Sequence, residues 1–281
     1  MMTFYESLHE GYGQTFAVKQ VLFEHKTEHQ HLFVFESERF GRVMVLDGIV
    51  QTTEADEAFY HEMLVHVPLF AHGQVKNVLI IGGGDGGSLR EVLKHKDIEH
   101  VTLVEIDGQV IDICRRYLPH HSLGAFDDPR LKLVIGDGLD FVQTSSRQFD
   151  VIISDCTDDI GPGSALFSEA FYKGCQQSLN EKGIFVAQNG VPFFQVDELK
   201  QTASRLKQCF AFSTFYGVPV PSYVGGFMAL AWATGCSEVS TIDVATLSRR
   251  FQLSGIATTY YNAKVHQAAF ALPQYIQGYC Q

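Results

Sequence analysis

The stretch IIGGGDGGSLR, residues 80–90, has the spacing of a loop that cradles phosphate on backbone N–H groups ahead of a helix, through Gly82, Gly84 and Gly87. Its centre carries a carboxylate, Asp85. A carboxylate repels phosphate and attracts a sulfonium or an ammonium. Glu105 lies about 20 residues on, at the expected end of a strand, where an acid can hold both ribose hydroxyls of a nucleoside. Glycines and acid together indicate a nucleoside-containing ligand. NAD and an adenosylsulfonium compound both fit that description, and Asp85 favours the second. Asp137-Gly138 is placed to meet an adenine edge, with the carboxylate accepting from the exocyclic amine.

A second concentration of acid lies in SDCTDDIGPGSALF, residues 154–167, where Asp155, Asp158 and Asp159 open a Gly/Pro-rich loop long enough to act as a lid. Asp155 follows a buried strand directly and is therefore the best fixed of the three. A partly buried carboxylate beside other carboxylates can have a raised pKa and serve as a general base.

These residues need a frame. Residues 1–58 read as a small N-terminal β-domain: strand-like runs in TFAVKQVLFEHKT and HQHLFVFESE, and two short strands in GRVMVLDGIVQTT around a turn at Asp47-Gly48. DEAFYHEMLVHVPLFA reads as a helix with Ala58, Met63, Leu64 and Val67 near one face, and Pro68 is expected to mark its weakened end. From Val75 onward Val/Ile/Leu-rich strands alternate with amphipathic helices, which indicates a parallel sheet covered on both faces. FSTFYGVPVPSY and GGFMALAWAT then look like two strands joined without a helix. Five β-α units with a final antiparallel pair outline an α/β, Rossmann-like, methyltransferase-type fold over residues 59–281.

In such sheets ligands bind beyond the carboxyl ends of the strands. Those ends supply Asp85, then Glu105 and Asp107, then Asp137 and Gly138, then Asp155 and Asp158, then Gln188 and Asn189. Carboxylates are common helix caps and turn residues at such places. Six of them on one rim without a Lys or Arg point instead to a cationic ligand. The formal net charge of −11 agrees: it argues against nucleic acid, which needs a basic face, and suits a small cation drawn in at long range.

Other chemistries fit poorly. His61 and His66 are five apart rather than four and do not share a helix face, and His29 and His31 have no further ligand beside them, so no metal is expected. No Gly-x-Ser-x-Gly elbow is present. Six scattered cysteines, without a Cys-x-x-Cys pair, favour free thiols in a reducing cytoplasm. No apolar run approaches the ~18 residues of a membrane span, and the first residues do not read as a secretory signal.

The segments GGGDGGSLREVLKH, VEID, DDPRLKLVIGDG and FDVIISDCTDDIGPGSALFSEAFY resemble the spermidine synthase signature of the polyamine aminopropyltransferases, bacterial members above all. The likeness runs from about Phe16 to the tail YYNAKVHQAAFALP. It implies transfer of an aminopropyl group from the co-substrate decarboxylated S-adenosylmethionine to putrescine, giving spermidine and methylthioadenosine, with no prosthetic group. By the same resemblance Gln30, Glu105, Asp137 and Gly138 bind the nucleoside donor, and Asp85 holds its ammonium. His61, Tyr60, Asp158 and Tyr223 line the polyamine channel, Gln188 lies at its floor, and Pro162 shapes the lid. Asp155 is the base, helped by Tyr60. The family also implies a homodimer or homotetramer using the N-terminal β-domain.

The chain departs from the family at Asp159 and Ala263, where proline is usual. Losing the first proline is expected to loosen the lid and to add charge near the amine channel. Three other readings remain open. An N-methyltransferase of a small amine would have to tolerate Asp85 beside the carboxylate of S-adenosylmethionine. A non-catalytic polyamine-binding protein would need no base. A nicotinamide dehydrogenase is the most distant.

Overall fold

The computed structural model describes residues 2–159 and 161–280, the side chains of Ser7 and Pro162 excepted. The chain opens with a β-hairpin, β1 (Met2–His9) and β2 (Tyr12–Val18). A four-stranded antiparallel sheet in sequential order follows: β3 (Gln20–Lys26), β4 (His31–Ser37), β5 (Gly41–Leu46) and β6 (Ile49–Thr53). The strand-like stretch TFAVKQVLFEHKT is divided between two strands, because the chain changes partners at Lys19: β2 pairs with β1 and β3 with β4. The turn between β5 and β6 is where Asp47-Gly48 placed it, with positive φ at both residues (48° and 84°), the geometry of a tight hairpin turn.

Strand β4 is apolar at four successive positions because both of its faces are covered. Phe33 and Phe35 pack with Phe16, Val43, Val45 and Val50 under the hairpin. Leu32 and Val34 pack with Val110, Ile113 and Cys114 of the following half of the chain.

That half begins with α1 (Glu57–His72) and continues β7 (Asn77–Gly82), α2 (Gly87–Leu93), β8 (His100–Glu105), α3 (Gly108–Tyr117), α4 (Pro119–Ser122), β9 (Leu131–Ile135), α5 (Gly138–Thr144) and β10 (Phe149–Asp155). A 3₁₀ segment (Gly161–Phe167) leads to α6 (Glu169–Gln177), β11 (Leu179–Gln188), α7 (Val196–Cys209), β12 (Phe212–Pro219) and β13 (Phe227–Thr234). Four helices close the chain: α8 (Ser237–Ser240), α9 (Val244–Ser254), α10 (Ala263–Ala269) and α11 (Gln274–Tyr279).

The strands form one sheet in the order β12-β13-β11-β10-β7-β8-β9, parallel except for β13, which runs antiparallel to both neighbours. Alternate side chains serve opposite layers. Val78, Ile80, Val101, Leu103, Val151 and Ile153 face the layer that contains α1. Leu79, Ile81, Val104, Ile152 and Phe185 face the layer that contains α6 and α7. The strand order reverses at β7 and β10, the place where such sheets open a crevice.

Helix α1 is more deeply embedded than a one-faced reading implies. Every residue from Tyr60 to Ala71 is buried, and the helix runs through Pro68 to end at Gly73, whose N–H caps Leu69. Packing on all sides holds it past a residue that ends an exposed helix. Among the described residues, no helix is long and apolar enough to cross a membrane.

Candidate active site

The glycine loop is pressed onto its neighbours. Gly82, Gly83 and Gly86 have φ of 78°, 68° and 82°. A Cβ on Gly82 would lie 2.2 Å from the carbonyl oxygen of Asp155, and one on Gly84 would lie 2.8 Å from Glu105 Oε2. Side chains are excluded here because the backbone itself forms the cleft wall. At the tip, Asp85 Oδ1 accepts from the Gly87 N–H at 2.8 Å as α2 begins. Its Oδ2 faces His61 Nε2 at 3.3 Å. Burial opposes the charge on Asp85, but the His61 imidazolium outweighs it and holds the carboxyl well below the usual range. The acidic rim thus has a buried counter-charge that reaches it from α1.

Glu105 closes β8, almost fully buried, and accepts the Asp107 N–H at 3.0 Å. Burial pushes its carboxyl up to about 7, with the Asp107 charge adding and the backbone N–H groups opposing. Asp107 caps α3 and also accepts from Thr27 Oγ1 at 2.9 Å and from Gln30 Nε2 at 3.2 Å. That pair of bonds ties Gln30 of the N-terminal region to the rim. Asp137 caps α5, accepting from Leu139 and Asp140 N–H groups at 2.6 and 3.1 Å. Its neighbour Gly138 packs so closely that a Cβ would meet Ile81 at 2.4 Å.

Asp155 ends β10 between two hydroxyl donors, Tyr60 at 2.7 Å on Oδ1 and Ser88 at 2.6 Å on Oδ2. Burial raises its carboxyl, and the Asp85 charge adds, while His61 and the two hydroxyls oppose. The Tyr60 ring stands edge-on to Tyr223 at 6.0 Å, and the Tyr223 hydroxyl is anchored on the Gln51 carbonyl at 2.7 Å. Asp158 accepts from Gln195 Nε2 at 2.9 Å and lies 3.5 Å from Gln188 Nε2. Gln188 Oε1 accepts the Gly190 N–H at 2.7 Å, which fixes its amide. Beside Gln195 stands Glu198, whose carboxyl is pushed up to about 8 by burial and then by the charges of Asp158 and Asp159.

One cleft gathers Gln30, Tyr60, His61, Asp85, Glu105, Asp137, Gly138, Asp155, Asp158, Gln188 and Tyr223. The Pro162 side chain lies outside the described residues. Among the described lining residues no Lys or Arg occurs, and the acids are joined by Glu6 of β1, which the sequence did not single out. Glu6 is buried, accepts the Val50 N–H at 2.7 Å, and has a carboxyl raised by burial despite that bond. Ser88 and Gln195 were likewise missed. Ser88 adjoins the glycine loop and could have been suspected from that position. Nothing local marks Gln195 or Glu6, whose partners lie far along the chain.

His66 turns away from the cleft and bonds Glu91 and His95 at 2.9 and 3.0 Å. Among the described residues no group of three His, Cys, Asp or Glu side chains could hold a metal ion. Ala263 opens α10, a position that also suits proline.

The sheet order and the strand-end cleft define a Rossmann-like, methyltransferase-type α/β protein with an N-terminal β-region over the cleft. Residues 57–243 match the spermine/spermidine synthase domain family, and residues 2–54 match the spermidine synthase tetramerisation domain family. A polyamine aminopropyltransferase of Pseudomonas aeruginosa is 58% identical over 276 residues, covering 98% of this chain and 96% of that protein. One from Yersinia pestis is 58% identical over 97% of this chain and 92% of its own length. A spermidine synthase solved with the transition-state analogue AdoDATO superposes with a TM-score of 0.94 at 38% identity, covering 99% of this chain and 94% of that one. The spermidine synthase of Thermotoga maritima superposes with a TM-score of 0.93 at 37% identity, covering 100% of this chain and 94% of that one. The chain belongs to the spermine/spermidine synthase family.

Proposed function

We propose that this cleft transfers an aminopropyl group from decarboxylated S-adenosylmethionine to putrescine, giving spermidine and methylthioadenosine. The chain is an enzyme of polyamine biosynthesis, an aminopropyltransferase. The observation that carries the acceptor and site assignments is the lining itself: acids from seven strands and loops, and no Lys or Arg among the described residues that face the cleft. Such a lining favours a donor with a sulfonium and an ammonium and an acceptor with two ammonium groups.

Glu105 takes the ribose hydroxyls, and Asp137, Gly138 and Gln30 the rest of the nucleoside. Asp85 takes the donor's ammonium. Intact S-adenosylmethionine carries a carboxylate there, which Asp85 repels, so discrimination rests on a clash as well as on an attraction. Tyr60, Tyr223, His61, Asp158 and Gln188 line the acceptor's path, with Pro162 in the lid over it.

The acceptor arrives protonated and must lose a proton before it can attack. Asp155 takes that proton. The freed lone pair attacks the methylene carbon beside the sulfonium: the C–N bond forms as the C–S bond breaks, and sulfur leaves with the electron pair as a neutral thioether. The sulfonium is a good leaving group, so the protein has chiefly to deprotonate, align and exclude water. Replacement of Asp155 by Asn is expected to cut turnover about 10²–10⁴-fold while donor binding remains measurable. Unchanged turnover would remove Asp155 from the base role.

We assign residues 1–58 and 59–281 to a β-domain and a catalytic domain, the first serving a homodimer or homotetramer. All six cysteines are free, in keeping with a reducing cytoplasm.

A further inference from the structure

In the cleft wall, His61 lies between two carboxylates. Its Nδ1 is 2.6 Å from Glu57 Oε2 and its Nε2 is 3.3 Å from Asp85 Oδ2. Glu57 is gripped from its other side by Arg90, with Nη1 on Oε1 at 3.0 Å and Nη2 on Oε2 at 2.9 Å. Arg90 is itself immobilised, by Glu91 at 2.8 Å and by the carbonyls of His120 and His121 at 3.0 and 2.7 Å. A carboxylate that accepts both arms of a guanidinium is ionised. A ring that offers both nitrogens to carboxylates is doubly protonated. The four groups Arg90, Glu57, His61 and Asp85 therefore alternate in charge and sum to zero, which is how buried charges are tolerated.

We propose that Glu57, gripped by Arg90, is the positioning residue that fixes the His61 imidazolium against Asp85, so that Asp85 presents an oriented carboxylate to the ammonium of the aminopropyl donor. This rests on the reading that the cleft binds that donor. Glu57 touches neither substrate; it acts through His61.

The surroundings leave the ring no other partner. Glu57 and Tyr60 face it from its own helix, Asp85 from the glycine loop, Arg90 from α2 behind Glu57, His121 from α4, and Asp155 from β10. His121 is pushed down by burial, which favours a neutral ring. The Gly87 backbone closes the remaining side, since a Cβ there would come within 2.2 Å of the His61 ring. Burial opposes the imidazolium, but Asp85 and Glu57 together hold it well above the ordinary histidine range.

The test is Glu57→Gln, with Glu57→Asp as the charge-keeping control. The ¹⁵N spectrum of the His61 ring reports its protons between roughly pH 6 and 9, the range an ordinary histidine titrates in or just below. In the unsubstituted enzyme both nitrogens should stay protonated throughout. In Glu57→Gln one ring proton should be lost within that range. The KM for decarboxylated S-adenosylmethionine should rise about tenfold while kcat stays within about threefold. Glu57→Asp should keep the doubly protonated ring and recover most of the affinity. A Glu57→Gln ring that stays doubly protonated with an unchanged donor KM overturns the proposal. So does an equal loss in both variants, which would mark a role in folding alone. If the unsubstituted enzyme makes no spermidine, the aminopropyl-transfer reading fails, and the ring titration still decides the positioning role by itself.

Discussion

The Tyr60 hydroxyl donates to Asp155 Oδ1 at 2.7 Å, joining a helix that precedes the sheet to the end of its fourth strand. The bond favours the ionised carboxylate and so opposes the burial that raises the Asp155 pKa. Tyr60→Phe removes that opposition. The acid limb of the kcat profile should then move to higher pH, and turnover near neutrality should fall about tenfold. A profile that keeps its position would show that Tyr60 does not tune the base.

Burial pushes the Glu105 carboxyl up to about 7, and in the proposed donor pose its ionised form is the one that accepts both ribose hydroxyls. Donor affinity should therefore weaken as pH falls below about 7, approaching tenfold per unit. The sign for stability is opposite to that of an ion-paired acid. The folded state keeps a proton that the unfolded chain releases from its ordinary 4.5, so stability falls as pH rises through the window from 4.5 to about 7. Glu105→Gln should remove this penalty, raising stability at pH 8 by roughly 1–3 kcal/mol while abolishing tight donor binding. Thermal melts at pH 5 and pH 8, with calorimetric titration of the donor, measure both.

Gly87 has no room for a side chain, because His61 is locked on both nitrogens and cannot retreat. Gly87→Ala should cost about 1–3 kcal/mol by overpacking and raise donor KM more than acceptor KM. Gly124→Ala tests a different penalty: its Cβ meets nothing within 4 Å, but φ is +83°, so it should show a backbone cost without the kinetic one.

Asp158, proposed to line the acceptor's path, is tied to Gln195 and close to Glu198. Asp158→Asn should raise putrescine KM about 10–100-fold and leave donor KM nearly unchanged. It should also lower the Glu198 carboxyl from about 8, since the Asp158 charge is the largest cause after burial. Equal changes in both KM values would place Asp158 outside the acceptor path.

The sequence announced the sheet and its strand-end acids because both are local signals: runs of Val, Ile and Leu, glycine spacing, and acids at or just past the ends of the first four parallel strands. Asp85, Glu105, Asp155 and Asp158 all face one cleft for that reason. What stayed hidden depends on distant packing. Glu6 and Gln195 reach the cleft from β1 and from the start of α7. The Arg90–Glu57 clamp joins residues 33 apart. Pro68 misled for the same reason, since burial on every side carries α1 through it. Asp137 shows the limit of a local signal, for its carboxylate caps α5 as well as lining the cleft.

Product identity tests the central claim most directly. Purified protein is given putrescine with decarboxylated S-adenosylmethionine, and separately with S-adenosylmethionine, and the products are identified by mass spectrometry. Spermidine and methylthioadenosine from the first mixture alone are the predicted result. Methylputrescine from the second, without spermidine from the first, would contradict it.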